Sequence, residues 1–239
     1  MSEFFIELFS EEIPANLQNR TRQDFFQNLK EFLEKEDIKY SGEATAFSIP
    51  NRLIVYFQNI SKKITKKENE IRGPNINAPQ DALNGFLKSY KISIDKTYKK
   101  KTDKGEFYFF KKPSESIETK FVLQKNLPKI LDKTSWKKSM RWADHELYWG
   151  RPLKSILCCF DNKTLEFVYH HLVSSNITFI DKDFEQKTKK FVRFKDYLAF
   201  FRSQNIILDN KKREQFIVDQ LNRIAKKENL KIHFNSTLL

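Results

Sequence analysis

The sequence predicts an α+β fold, with mixed or antiparallel sheets and packed helices, on three observations. TYKKKTDKGEFYFFKKP, and PLKSILCCF with TLEFVYHHLV across the polar DNK, each read as an antiparallel hairpin. Other stretches carry apolar residues at helical spacing and do not alternate strand by strand as a doubly wound parallel sheet requires. A chain of 239 residues with 39% hydrophobic residues and 23 phenylalanines can fill one large core or two modest ones, which excludes disorder.

EFFIELF opens the chain as a short strand, and Pro14 suits the first position of a helix over 15–36, with Leu17, Phe25, Leu29, Phe32 and Leu33 as its apolar positions. TAFSIP and RLIVYFQNI follow as extended segments broken at Pro50 and Asn51, with Ile54, Tyr56 and Gln58 on one face and Val55, Phe57 and Asn59 on the other. IRGPNINAP supplies turn chemistry around Gly73 and Pro74. Ala82, Leu83, Phe86 and Leu87 give a helix over 80–90, Asp103, Lys104 and Gly105 turn the first hairpin, and another amphipathic helix covers 116–132. After the second hairpin come a helix over 195–204, a short strand from Asn205 to Leu208, and a long helix capped by Asp209 that reaches Asn229, with Phe216, Leu221 and Ile224 among its apolar positions. KIHFNSTLL stops where Asn235 or Ser236 can cap a further helix, so 1–239 reads as a truncated region, subdivided at 1–135 and 136–239.

A net charge of +13 invites a polyanionic partner, because lysine and arginine neutralise phosphates and release counterions. Most of these cations are lysines in a chain also rich in Asn, Ile and Phe, which A- and T-rich coding produces as well, so charge alone leaves both readings open. Cys158 and Cys159 are neighbours that point apart on a strand, the arrangement of free buried thiols in a reducing compartment. MSEFFIELFSEEIP carries acids where a signal peptide carries bases, and no apolar run approaches a bilayer span, so a soluble, cytoplasmic protein with no membrane partner is expected.

No phosphate-cradling glycine loop, nucleophile elbow or CxxC pair is present, so no catalytic residue and no metal ligand is assigned. His170 and His171 fall in a predicted strand, one toward the core and one toward solvent, as structural histidines, and His145 reads as a solvated loop residue. Glu11 and Glu12 suit the start of a helix, where acids meet the dipole. All three tryptophans lie in WKKSMRWADHELYWGRPL, residues 136–153, among Lys137, Lys138, Arg141 and Arg151. Such a segment can stack on bases and grip phosphates, or its indoles can anchor a core corner while the cations reach water. Residue type favours the core role for at least two of the indoles.

FFIELFSEEIPA at 4–15, PNRLIVY at 50–56, RGP at 72–74, WKKSMRW at 136–142, RPLKSILC at 151–158 and SSNIT at 174–178 stand in the order seen in bacterial glycyl-tRNA synthetase beta subunits, which the whole chain resembles at about the length of their first third. Departures from that pattern are Asn51 in place of an arginine, Gly150 in place of a valine, a short loop between Trp142 and Trp149, Ser175 in place of a glycine, and Ile180, Asp181 and Lys182 in place of Gly-His-Arg. The resemblance implies an α2β2 ligase whose alpha subunit binds glycine and ATP with Mg and performs catalysis, while the beta subunit holds tRNA(Gly). This chain then binds no cofactor of its own. The resemblance also implies a fold similar to the B3/B4 module of the phenylalanyl enzyme's beta subunit, a module that edits mischarged tRNA there. An editing pocket has little to do for glycine, the smallest substrate, so a tRNA-contacting and assembly role is expected. Editing hydrolysis and a pure scaffold for the alpha subunit stand as alternatives. Within this role, Arg52, Lys138, Arg141 and Arg151, lying in the family-like motifs, are expected to contact tRNA phosphates.

Overall fold

A computed structural model describes residues 2–66, 68–180 and 187–233. The described chain forms two compact units, Met1–Lys62 with Thr119–Leu239, and Lys63–Glu118; the divisions fall at 62/63 and 118/119 and not at 135/136. In chain order the elements are β1 (Glu3–Ser10), α1 (Ala15–Lys35), β2 (Ala44–Ile49) and β3 (Arg52–Gln58) of the larger unit. The smaller unit follows with β4 (Lys63–Lys66), β5 (Asn69–Asn75), α2 (Gln80–Tyr90), β6 (Thr97–Thr102), β7 (Gly105–Lys112) and β8 (Glu115–Glu118). The larger unit resumes with α3 (Thr119–Asp132), β9 (Leu153–Phe160), β10 (Lys163–Thr164), β11 (Val168–Tyr169), β12 (Leu172–Val173), β13 (Ile177–Phe179), β14 (Thr188–Lys190), α4 (Phe194–Ser203) and α5 (Asn210–Lys227). Every ladder between these strands is antiparallel, and the fold class is α+β, as the sequence predicts.

The larger unit is built on a five-stranded sheet in the order β10-β9-β1-β3-β2. Its middle strands are apolar on both faces because both faces are covered. Phe57 turns toward α1, stacking on Phe26 at 5.5 Å, while Phe5, Ile54 and Tyr56 form the opposite core with Phe194, Tyr197 and Phe201 of α4. In the smaller unit β5, β7 and β6 form a three-stranded sheet, and β4 pairs with β8. Gly73 of β5 lies directly beneath the Phe86 ring of α2, so close that an added Cβ would stand 2.9 Å from it.

One polar cluster interrupts the apolar core of the larger unit. Glu7, 0% exposed, faces α4 from the middle of β1, and Arg52 of β3 donates to it from Nε at 3.0 Å. Thr178 and Tyr197 donate their hydroxyls to the same carboxylate, and Arg52 also donates to the Phe179 carbonyl and, at 2.9 Å, to Asn51 Oδ1. The guanidinium lies over the rings of Phe9 at 4.5 Å and Phe201 at 4.9 Å. Burial and the Glu7 charge push the Tyr197 phenol well above its ordinary value, so it acts as a donor.

Several local expectations change. Gly73 and Pro74 lie inside β5, where the register against β7 shifts between Arg72 and Asn75, and this irregularity accommodates a proline without an N–H. Residues 205–208 form no strand: Asn205, at φ 58°, closes α4, and Asn205 and Ile206 donate to the carbonyls of Arg202 and Phe201. The second hairpin is β9 with only two residues of β10 beyond Asp161 and Asn162, after which β11 and β12 form a separate ribbon. Asp209 caps α5 as expected, accepting from the backbone of Lys211 and Lys212, but Phe216, Leu221 and Ile224 are exposed. Asn235 and Ser236 lie outside the described residues.

Truncating one member of the buried pair leaves the other charge uncompensated. Glu7→Ala or Arg52→Ala is expected to lower the unfolding free energy by about 3–5 kcal/mol, and Glu7→Leu with Arg52→Leu to cost less than the sum of the two single changes. Urea denaturation of the three variants measures this, and single losses near zero would contradict it.

Candidate nucleic-acid interface

Four of the segments that carry the family resemblance come together on β1, β9 and the β2–β3 turn of the central sheet. Ser10 N donates to Asn51 O at 3.0 Å, Glu11 N to Pro152 O at 2.9 Å, and Ser10 pairs with Leu153, so FFIELFSEE, PNR and RPL are laced by backbone bonds. SSNIT joins from β9, where Ser175 N donates to Ile156 O and Cys158 N to Ser175 O. Ser175 has no left-handed backbone, and its hydroxyl accepts from Ile177 N at 3.1 Å, so a side chain is tolerated where the resembling family has glycine. Asp181 and Lys182 lie outside the described residues. Glu11 stands before a helix that begins at Ala15 with no acid in its first turn, and its carboxylate pairs with Lys154 at 2.5 Å.

The tryptophan segment leads into β9. Met140 and Trp149 exchange both backbone hydrogen bonds, at 2.8 and 3.1 Å, and so pinch residues 140–149 into a loop. Trp149 is 1% exposed and meets Trp136 at 5.1 Å and Tyr169 at 6.2 Å. Trp136 lies on Gly150 so closely that a Cβ there would stand 2.0 Å from the indole, which accounts for the missing side chain at a position where the resembling family has valine. Neither the Trp136 nor the Trp149 indole N–H finds a partner among the described residues, so packing holds this corner. Two indoles thus serve the core, as residue type favours.

Trp142 is the third. It meets His145 and His171 edge-on at 6.0 and 5.7 Å, and these two imidazoles stack in parallel at 3.6 Å. His170 and His171 are not strand residues; they turn the β11–β12 ribbon, with His170 at φ 49°, because Tyr169 pairs with Leu172. His145 is drawn out of a solvated loop into this stack. Burial, then the neighbouring His145 and His170, hold the His171 imidazole below its ordinary value. Among the described residues no three His, Cys, Asp or Glu side chains are grouped so as to hold a metal.

Of the predicted phosphate contacts, Lys138 stands exposed beside Lys137 just before the loop, and Arg141 stands exposed on it. Arg151 is partly exposed and turns back, its Nη1 donating to the Gly150 carbonyl at 3.4 Å. Arg52 is elsewhere: 3% exposed and bonded to Glu7, it has no surface to offer a phosphate in this fold. The structure thus places Arg141 on the loop, Lys138 and Arg151 on either side of its Met140–Trp149 closure, and Arg52 in the core. Glu7, Thr178 and Tyr197 escaped the sequence reading, although a lone acid inside FFIELF is itself the mark of a charge that needs a buried partner. Tyr148, 64% exposed, adds a free aromatic to the same loop.

Gly150→Val should displace the Trp136 indole, costing about 1–3 kcal/mol and shifting tryptophan emission to the red as the ring meets water; unchanged emission and stability would contradict the packing. A histidine whose pKa the fold depresses contributes stability that is fully present above its unfolded pKa of about 6.5 and is lost as pH falls through the depressed folded value. Thermal midpoints should therefore drop on acidification from about pH 7.5 to about pH 5.5, and His171→Asn should flatten part of that drop.

A model of the family described as glycyl-tRNA synthetase beta subunit matches residues 4–239. The glycine–tRNA ligase beta subunit of Rickettsia felis is 35% identical over 241 residues, covering 100% of this chain and 36% of its own length. That of Rickettsia prowazekii is 36% identical over 233 residues, covering 97% of this chain and 35% of its own. The chain spans about a third of the length of these curated relatives. A match over nearly every residue means that the chain belongs to the glycyl-tRNA synthetase beta subunit family.

Proposed function

We propose that this chain is a tRNA-contacting and assembly portion of a glycine–tRNA ligase beta subunit. In this reading the alpha subunit binds glycine and ATP with Mg and forms glycyl-tRNA(Gly) in an α2β2 complex in the cytoplasm. The chain itself binds no cofactor and catalyses nothing; the similarity to the B3/B4 module belongs to the same reading. The observation that carries it is the tryptophan segment of the family motif, which leaves Lys137, Lys138, Arg141 and the Tyr148 ring exposed beside the buried Trp149. Cations there neutralise phosphates, and an aromatic ring takes an unstacked base. Anchored by Trp149 and Trp136, the loop needs little ordering when it binds. No helix among the described residues is long and apolar enough to cross a membrane.

Lys138→Glu with Arg141→Glu should weaken binding of a tRNA(Gly) transcript by at least about tenfold at 0.1 M salt and flatten the log–log salt dependence by about 1 to 2. In the complete ligase the same change should raise KM for tRNA and leave glycine-dependent ATP–pyrophosphate exchange intact. Equal collapse of exchange would assign the loop to the alpha interface. Release of glycine from charged tRNA by the isolated chain would assign it to editing.

A further inference from the structure

A second cationic site lies away from the tryptophan loop, at the corner where α1, β2 and the first turn of α5 meet. There a cleft of about 360 Å³ is lined by Arg22, Arg213 and Lys211 with Gln18, Asn19 and Asn210. Both arginines converge on one residue of β2: Arg22 Nη1 donates to Ser48 Oγ at 3.2 Å, and Arg213 Nη2 to Ser48 O at 3.3 Å. Their other acceptors are neutral as well, Asn19 Oδ1 at 2.6 Å for Arg22 and the Ile207 carbonyl at 2.9 Å for Arg213. An arginine carries five donors, so most of the N–H groups on this pair have no acceptor among the described residues.

Two guanidiniums brought together without a carboxylate bonded to either are costly to hold unless an anion joins them. Both are half-buried, and burial, reinforced for Arg22 by the charge of Arg213, lowers their hold on the proton, with Asp209 opposing. Asp209 is already committed to the backbone of Lys211 and Lys212 and pairs with Lys212 at 3.8 Å. Glu214 is the one acid on the cleft wall, facing three cations there. Ser48 is fully buried and bonded on three sides, its amide to Asn210 Oδ1 at 3.2 Å, so the floor of the cleft is fixed. Ala15 and Ile217 form an apolar wall beside the cations. The cleft is larger than one oxyanion, so it has room for a phosphate with an attached sugar.

We propose that the α1–β2–α5 cleft binds a phosphate group, held in the fork of Arg22 and Arg213 with Lys211 at its mouth. The chemistry is shared by a phosphodiester of an RNA strand and by free phosphate, and the experiment separates the two. The probes are a tRNA(Gly) transcript, followed by fluorescence anisotropy over a KCl series, and inorganic phosphate, followed by thermal shift against chloride at matched ionic strength. The variants of the full 239-residue chain are R22Q/R213Q and the charge-retaining R22K/R213K.

With a strand phosphodiester in the cleft, R22Q/R213Q loses about fivefold to tenfold in transcript affinity, and its salt slope falls by about 1. R22K/R213K keeps that slope, because charge and not fork geometry sets counterion release. With free phosphate as the ligand, millimolar phosphate raises the thermal midpoint of the parent chain, the rise is absent in R22Q/R213Q, and transcript affinity is unchanged. The proposal is overturned if neither probe distinguishes R22Q/R213Q from the parent. That result leaves the tryptophan-loop reading standing whenever the Lys138→Glu, Arg141→Glu variant still weakens transcript binding. Far-UV circular dichroism on R22Q/R213Q separates lost binding from misfolding, and R22K/R213K retains both charges.

Discussion

The larger unit depends on one buried charge pair. Backbone ladders join β1 to β3 and β9, but nothing in those ladders fixes α4 or β13 against the sheet. Beside the aromatic packing of α4 and the backbone bonds of Ser175, Glu7 and Arg52 tie both elements to the sheet: their side chains reach Tyr197 on α4, Thr178 on β13 and the Phe179 carbonyl at once. The pair also specifies register. A slip of β1 by one residue would carry Glu7 to the opposite face, toward the buried Phe25, Leu29 and Leu33 of α1, where an unpaired carboxylate costs several kcal/mol. An apolar pair in the same space could match the stability without that discrimination.

The loop is fastened to this core through the buried Leu147 and Trp149. The β2–β3 turn at Pro50 and Asn51, the end of β1 and the start of β9 are held within hydrogen-bonding distance of one another, and Arg52 stands directly after the turn. Leu153 opens β9 three residues beyond Gly150, so the Trp136–Trp149 corner is attached to the same lattice. Cations on such a platform are presented and not merely solvated. A basic composition gives attraction to any polyanion; a fixed loop adds orientation.

Much of this was legible in the residues. Apolar spacing placed α1, α2 and α4, the alternation in RLIVYFQNI separated the α4-facing Ile54 and Tyr56 from the α1-facing Phe57, and Asp209 announced α5. What escaped has physical causes. His170 and His171 follow a strand-like run and lack the Asn-Gly chemistry of a tight turn, so only the pairing of Tyr169 with Leu172 reveals that they form one. Arg52 resembles a phosphate ligand in the sequence because a cation beside aromatics looks alike there whether it faces RNA or a buried acid. The distinguishing sign was Glu7, isolated among Phe4, Phe5, Ile6, Leu8 and Phe9, but a single sequence does not say which distant cation answers it. Arg22 and Arg213 lie 191 positions apart, and only the fold brings both to Ser48.

On the proposed function, the segment 136–153 is a place where RNA meets this chain. Photo-crosslinking a 4-thiouridine-substituted tRNA(Gly) transcript to the full chain, with mass-spectrometric mapping of the linked peptides, addresses it without perturbing the fold. Linked peptides containing Lys138, Arg141, Trp142 or Tyr148 are the expected result. Crosslinks that leave this loop unmarked while labelling other parts of the surface would contradict it.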